Sequence, residues 1–335
     1  MKSTPNLFCR VWLPLLTLLI TACNITEDVA KVPPPQTTPQ ISADKMGGGS
    51  SGMVQLTDST YLLVYDLKIF EEGPRLATLT ASDEAIKVSP ISVDNWGEDG
   101  PASDLESVCA IPGRPNEFLA SESGNWQGKL GRIFHLRLDP AKLEAKVLGS
   151  SIIPMLRRND LDVTGDQYEA IYCLPSNRPQ RLVLLGERGG SPANPHGVMR
   201  WGVLDLEQHS FTFTDAGLAG LWVNAPGHWQ DEQTKRSITD IHVDAKGTIW
   251  AAASEDQGDS GPFYSVIYRL GQLGNNQPGV PLTIAEELTE FKEIDGFKLE
   301  ALAGPRGGIK CTHSFGTEDE IYGGIWRPIQ IDFKE

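Results

Sequence analysis

The stretch ESVCAIPGRPNEFLASE, Glu106 to Glu122, opens on an acid and runs through a short apolar strand. It then turns at Gly113, Pro115 and Asn116 and closes a second strand on another acid. The same phrase returns as EAIYCLPSNRPQRLVLLGE (Glu169 to Glu187), as HVDAKGTIWAAASE (His242 to Glu255) and as EALAGPRGGIKCTHSFGTE (Glu300 to Glu318). SGMVQLTDSTYLLVYD fits with Ser51 first and Asp66 last, and successive openings lie 55, 63, 73 and 58 residues apart. An internal period of this size marks a repeat architecture, in which each unit buries its apolar face only against its neighbours.

Outward from these phrases the chain reads as all-β. Short β-branched and aromatic runs such as RIFHLRLD, SVIYRL and IWRPIQIDF are broken by Gly, Pro, Asn and Asp. One stretch, Leu282 to Phe291, has helical character. Repeated antiparallel units predict a single β-propeller of five or six blades, whose innermost strands line a central acidic channel. The competing arrangement is a pair of β-sandwiches or another all-β arrangement.

The N-terminus carries Lys2 and Arg10, the apolar run Val11 to Ile20, and then Thr21 and Ala22 before Cys23. That order is a secretory signal, too short for a membrane span of ~20 residues. Ile20-Thr21-Ala22-Cys23 resembles the lipobox of bacterial lipoproteins. The expectation is therefore a signal peptide over 1–22, a lipidated Cys23 as membrane anchor, a Pro- and Gly-rich tether over 23–50 and one domain over 51–335. The expected location is the bacterial cell envelope, with Asn24 favouring the outer membrane over the inner. A formal net charge of −15 argues against a nucleic-acid partner, since phosphate backbones are held by clustered Lys and Arg.

In a propeller the repeat places Glu106, Glu169, His242 and Glu300 at equivalent openings of inner strands. Asp66, Glu122, Glu187, Glu255 and Glu318 then stand at equivalent ends of the strands that follow. Gathered carboxylates repel unless a cation neutralises them, and hard oxygen donors select Ca²⁺. Glu106, Glu122, Glu169, Glu187, Glu255 and Glu300 form the expected calcium set. The opposing reading has these acids holding backbone N–H groups and arginines at blade junctions. Arg188, Lys310 and Arg327, with Lys68 near Asp66, supply positive charge for a phosphate, and His242 completes the expected substrate-binding set.

The phrases SDLESVCAIPGRPNEFLASESG, GFKLEALAG and GTEDEIYGGIWRP resemble recurrent phrases of the phytase-like (esterase-like activity of phytase) domain family over roughly residues 50 to 334. This chain has Ser107 and Ala301 where the family pattern has Gly after the acid. The resemblance implies a secreted or envelope-attached propeller and a calcium-dependent hydrolase of phosphoesters or related esters. The alternative is a non-catalytic propeller that binds an envelope protein, a glycan or another ligand.

Other motifs carry less. The loop Asp160 to Asp166 begins like a calcium-binding EF-hand but has Ile171 where the bidentate Glu belongs. Gly48 to Gly52 matches G-x-S-x-G outside any strand-to-helix turn, and Gly258 to Pro262 lacks the partners of a serine protease. The six histidines show no zinc spacing, and Cys109, Cys173 and Cys311 sit in apolar runs as buried thiols. Trp96, Trp126, Trp222 and Trp229 lie in Gly- and Asn-rich loops, as ring surfaces for sugars or as packing between blades.

Overall fold

A computed structural model describes residues 49–68, 73–82, 85–124, 131–156, 167–192, 194–258, 261–274, 279–318 and 323–330. The expected signal peptide, Cys23, nearly all of the tether, the Asp160–Asp166 loop and Trp126 lie outside the described residues.

The strands form five sheets, each a meander of antiparallel neighbours. The first holds β1 (Gly52–Thr57), β2 (Thr60–Val64), β3 (Leu76–Ala81) and β4 (Ile86–Pro90). After β5 (Ser92–Val93) the second holds β6 (Leu105–Ala110), β7 (Glu117–Glu122), β8 (Arg132–Asp139) and β9 (Glu144–Ile152), with β5 parallel to β9. The third holds β10 (Tyr168–Cys173), β11 (Gln180–Glu187), β12 (Gly197–Asp205) and β13 (Ser210–Phe213). A five-residue helix α1 (Asp215–Ala219) leads to β14 (Leu221–Val223), which returns to β12. The fourth holds β15 (Lys235–Val243), β16 (Thr248–Glu255), β17 (Tyr264–Leu273) and β18 (Leu282–Asp295). The fifth holds β19 (Leu299–Ala303), β20 (Cys311–Thr317) and β21 (Trp326–Gln330).

The first strands β1, β6, β10, β15 and β19 touch in cyclic order, so the five sheets are blades around one axis. Closure is local: the Ser50 N–H donates to the Thr317 carbonyl at 3.1 Å, joining the chain's entry to the last blade. Crowding at the axis dictates small side chains there. Gly52, Ser107, Ala170, Ser237 and Ala301 are all buried, one on each inner strand. A side chain at Gly186 would bring its Cβ within 2.9 Å of the Ala170 Cβ. The Ser107 and Ala301 departures from the family pattern are therefore size-conserving. Apolar clusters fill the spaces between blades, with Trp201 and Tyr268 buried between the third and fourth.

The described residues form five blades, the lower of the two expected counts. One expectation needs correction. Leu282 to Phe291 is strand, the outer edge of the fourth blade. Its helix-favouring run Ala285 to Leu288 opposes Leu270 alone, because Ile284 pairs with Gly271 and Thr289 with Arg269. The segment bulges out of the ladder, and pairing with β17 on both sides overrides local propensity.

Candidate functional site

The inner strands of the second, third and fifth blades each carry one bulged residue at their opening. Leu105 pairs with Glu122 and Ser107 with Ser121, which leaves Glu106 as the extra residue; Glu169 and Glu300 are extra in the same way. In the fourth blade Lys235 pairs with Glu255, so the equivalent residue is Arg236, followed by the small Ser237. His242 lies six residues further on, near the opposite end of β15, and is not an opening residue. With Arg236 in that role the spacings of 73 and 58 become 67 and 64. The register slipped because Ser237, Ile238 and Thr239 form a longer irregularity than the other blades contain.

A second correction concerns the strands that follow. By register, the row equivalent to Glu122, Glu187 and Glu255 is completed by Tyr65 and Thr317, and Asp66 and Glu318 stand one residue later. A one-residue step turns a side chain to the other face. Glu122, Glu187 and Glu255 point back into their blades. The Arg132 guanidinium grips Glu122 at 2.6 and 2.9 Å, and the Ser103 N–H donates to it at 2.9 Å. Glu187 pairs with Arg200 at 3.1 Å, and Glu255 accepts from the Asp231 N–H at 2.9 Å and from the Gln230 N–H. These acids have the junction partners that the opposing reading assigned to them.

The next row, Asp66, Arg188, Asp256 and Glu318, joins the openings Glu106, Glu169, Arg236 and Glu300 in one charged cluster at this end of the axis. Arg236 donates to Glu300 at 2.9 Å and pairs with Asp256. The Lys298 Nζ lies 2.7 Å from Glu318 and 3.2 Å from Glu300. Arg188 stands 3.5 Å from Glu169. Lys68 lies 3.0 Å from Asp104 and 3.6 Å from Asp66.

Glu106 differs from its equivalents. It is 8% exposed and has no hydrogen bond or ion pair among the described residues. Burial, then Glu169, Asp104, Asp66 and Glu318 in turn, push its carboxyl well above the usual range. Burial and Glu318 push Glu300 up to about 8 against the pull of Lys298 and Arg236. Burial and Arg236 draw Arg188 down. Oxygens of Asp66, Asp104 and Glu106 all lie within 4.8 Å of one another, a donor set that fits a hard cation.

One layer deeper the axis is filled. Asp240, buried on β15, accepts from the Ser107 Oγ of β6 at 3.1 Å and from the Leu302 N–H of β19 at 2.8 Å. Ser107 Oγ in turn accepts from the Ile171 N–H of β10 at 3.1 Å. The charged cluster therefore has a polar floor.

The remaining expected substrate residues lie elsewhere. His242 meets His313 edge to face at 5.8 Å beyond that floor, and burial drives both imidazoles down to about 4. Arg327 packs over the Phe297 ring at 4.9 Å, and Lys310 is exposed in a turn of the fifth blade. Arg236, Asp256, Lys298 and Asp104 were missed by sequence reasoning; a small residue after Arg236, as after Glu106, was the available signal. Trp96 packs on Phe134 and Trp229 on Tyr264 between elements. Trp222 is 72% exposed and stacks on His196 at 5.3 Å.

No family model matches the chain, and no curated protein matches it in sequence. Among solved structures it is similar to an exo-1,5-alpha-L-arabinanase from a bovine ruminal metagenomic library, at 9% identity and a TM-score of 0.48, over 85% of this chain and 94% of that one. It is also similar to a thermostable family-43 glycoside hydrolase, at 10% identity and 0.47, over 85% and 89% of the two chains. An endo-arabinase from Bacteroides thetaiotaomicron VPI-5482 follows at 13% identity and 0.38, over 88% and 97%. The likeness is one of fold and extends no further.

Proposed function

We propose that this chain is a cell-envelope lipoprotein whose propeller binds calcium and an anionic ester, foremost a phosphoester, at the charged end of its axis and hydrolyses it there. The observation that carries this reading is Glu106: a buried carboxylate with no hydrogen bond or ion pair among the described residues, beside Asp66 and Asp104, which share the half-exposed Lys68, and within electrostatic reach of Arg188. An uncompensated buried acid is costly, and a cation at Asp66, Asp104 and Glu106 removes the cost. The phytase-like resemblance of the surrounding phrases supports the same reading.

Calcium held there supplies positive charge against the ester's phosphoryl oxygens. The chain's own part is orientation and charge. Arg188 and Arg236 offer guanidinium N–H groups to those oxygens, and Glu169 and Glu300 hold the two guanidinia in place. Glu300, pushed up to about 8 by burial and by Glu318, holds a proton that it can give to a leaving alkoxide.

The test is hydrolysis of p-nitrophenyl phosphate and inositol hexakisphosphate with calcium and with chelator, alongside calcium titration. Calcium-dependent turnover lost in Glu106→Gln and Arg188→Met supports the hydrolase. A second reading, a ligand-binding propeller for an envelope protein or glycan, is favoured by the exposed Trp222 stacked on His196. Calcium binding without turnover of any ester selects it.

A further inference from the structure

We infer that His228, Glu290 and Glu293 form a binding site for a divalent transition metal of the zinc class on the outer edge of the fourth blade. One ligand atom from each lies within 4.8 Å of the others, and all three side chains are exposed. Sixty-two residues separate His228 from Glu290, so no sequence spacing announces the set.

The fold assembles it through a break in register. Residues three apart on a regular strand face opposite sides. On β18, Lys292 pairs with Ile267 and Glu290 with Tyr268, so Phe291 is an extra, bulged residue and the alternation resets across it. Glu290 and Glu293 thereby reach the same side. Among the described residues no Lys or Arg pairs with either, and the two carboxyl groups lie close enough to share a proton, the place a metal would take.

His228 is delivered by the loop over 224–234. Gly227 has φ +142, and a Cβ there would meet the Trp229 ring at 2.9 Å; the turn tucks Trp229 inward and leaves His228 outward. Tyr264, nine-tenths buried, ties the two halves together. Its Oη donates to Glu293 Oε1 at 3.1 Å and accepts from the His228 N–H at 3.3 Å. Supporting bonds of this kind orient metal ligands.

One imidazole with two carboxylates suits zinc and its neighbours rather than calcium, and three protein ligands leave a position for water. The same loop offers the N–H groups of Gln230 and Asp231 to Glu255, so a metal at His228 pins the segment that closes over the fourth blade.

The experiment is competition for zinc between the full-length chain and a chromophoric chelator, paired with melting temperature with and without zinc. The wild type is expected to bind zinc and melt higher with it. His228→Ala and Glu293→Gln should each weaken binding by about tenfold or more. Tyr264→Phe should weaken it severalfold, and Glu106→Gln, at the axial cluster, should leave it unchanged. Each ligand variant replaces an exposed side chain, and its melting temperature without zinc reports whether it folds. Absence of zinc binding in the folded wild type, equal binding by the ligand variants, or loss of binding in Glu106→Gln overturns the assignment. None of these outcomes bears on the calcium reading, which uses other residues.

Discussion

Asp240 Oδ1 and Ser107 Oγ meet 3.1 Å apart across the propeller axis, joining the second blade to the fourth. With Leu302 N–H on Oδ2 and Ile241 N–H on Oδ1, both at 2.8 Å, the buried carboxyl group accepts three hydrogen bonds, which offset part of the upward push that burial gives it. Asn offers one acceptor oxygen and would turn an amide N–H toward a donor. Asp240→Asn is therefore expected to lose about 1–3 kcal/mol, and Asp240→Leu, which leaves Ser107 and two backbone N–H groups unmet, substantially more. Urea unfolding measures both, and a neutral Asp240→Leu would show that the axial contact contributes nothing.

Glu122 and Glu106 stand sixteen residues apart in one blade with opposite prospects. Glu122 is gripped by Arg132, so Arg132→Met strands a buried carboxylate and is expected to cost about 3–5 kcal/mol. Glu122→Gln should lower stability and leave calcium affinity as it was, whereas Glu106→Gln should weaken calcium binding by about tenfold or more, leaving only what Asp66 and Asp104 hold. Calorimetric titration of both variants decides it; equal loss of calcium in the two would place the ion behind the axial row.

Much of this fold was legible because each blade repeats a polar opening, a small residue and an acid at the next strand's end, as in Glu106, Ser107 and Glu122, or one residue past it, as in Asp66 and Glu318. The axial cluster was half legible. Glu106, Glu169, Glu300 and Arg188 follow from the repeat, but Arg236 breaks its charge pattern, and the irregular Ser237–Thr239 segment hid the match. Aligning His242 instead moved the reading to the far end of β15. Asp104 and Lys298 precede their strands, at positions no strand pattern constrains. The one-residue step between Glu255 and Asp256 decides which acid faces the axis. Pairing register sets that choice, and composition does not.

His242 and His313 give the chain an acid limit. Their ordinary value is 6.5, and burial holds both at about 4 in the folded state, so between these values the unfolded chain binds protons that the native one refuses. Stability is full above about pH 6.5 and falls as pH drops toward 4, by a few kcal/mol for the pair. Urea midpoints at pH 7, 5.5 and 4.5 should decline, and His242→Asn should flatten the decline. An unchanged slope in that variant would assign the acid sensitivity to other groups.

If calcium sits at Glu106 as proposed, its binding should release a proton. The ordinary value of the Glu106 carboxyl is 4.5, and burial among Glu169, Asp104 and Asp66 raises it well above that, so without a cation the folded chain holds the proton to higher pH than a free carboxylate does. Without calcium, that shift contributes stability below about pH 4.5 that is lost as pH rises through the folded value. A cation binds the ionised form alone, so calcium affinity should climb with pH over the same range as the proton is displaced. Titration at one pH in two buffers of different ionisation enthalpy should give different heats, the difference counting protons released. Glu106→Gln has lost that proton, so its residual binding should show a smaller difference between the buffers, with Asp66 still keeping a raised carboxyl in the set. Equal heats in the wild type would mean that Glu106 is already ionised before calcium arrives, and the Arg188 guanidinium would then be the charge that keeps it so.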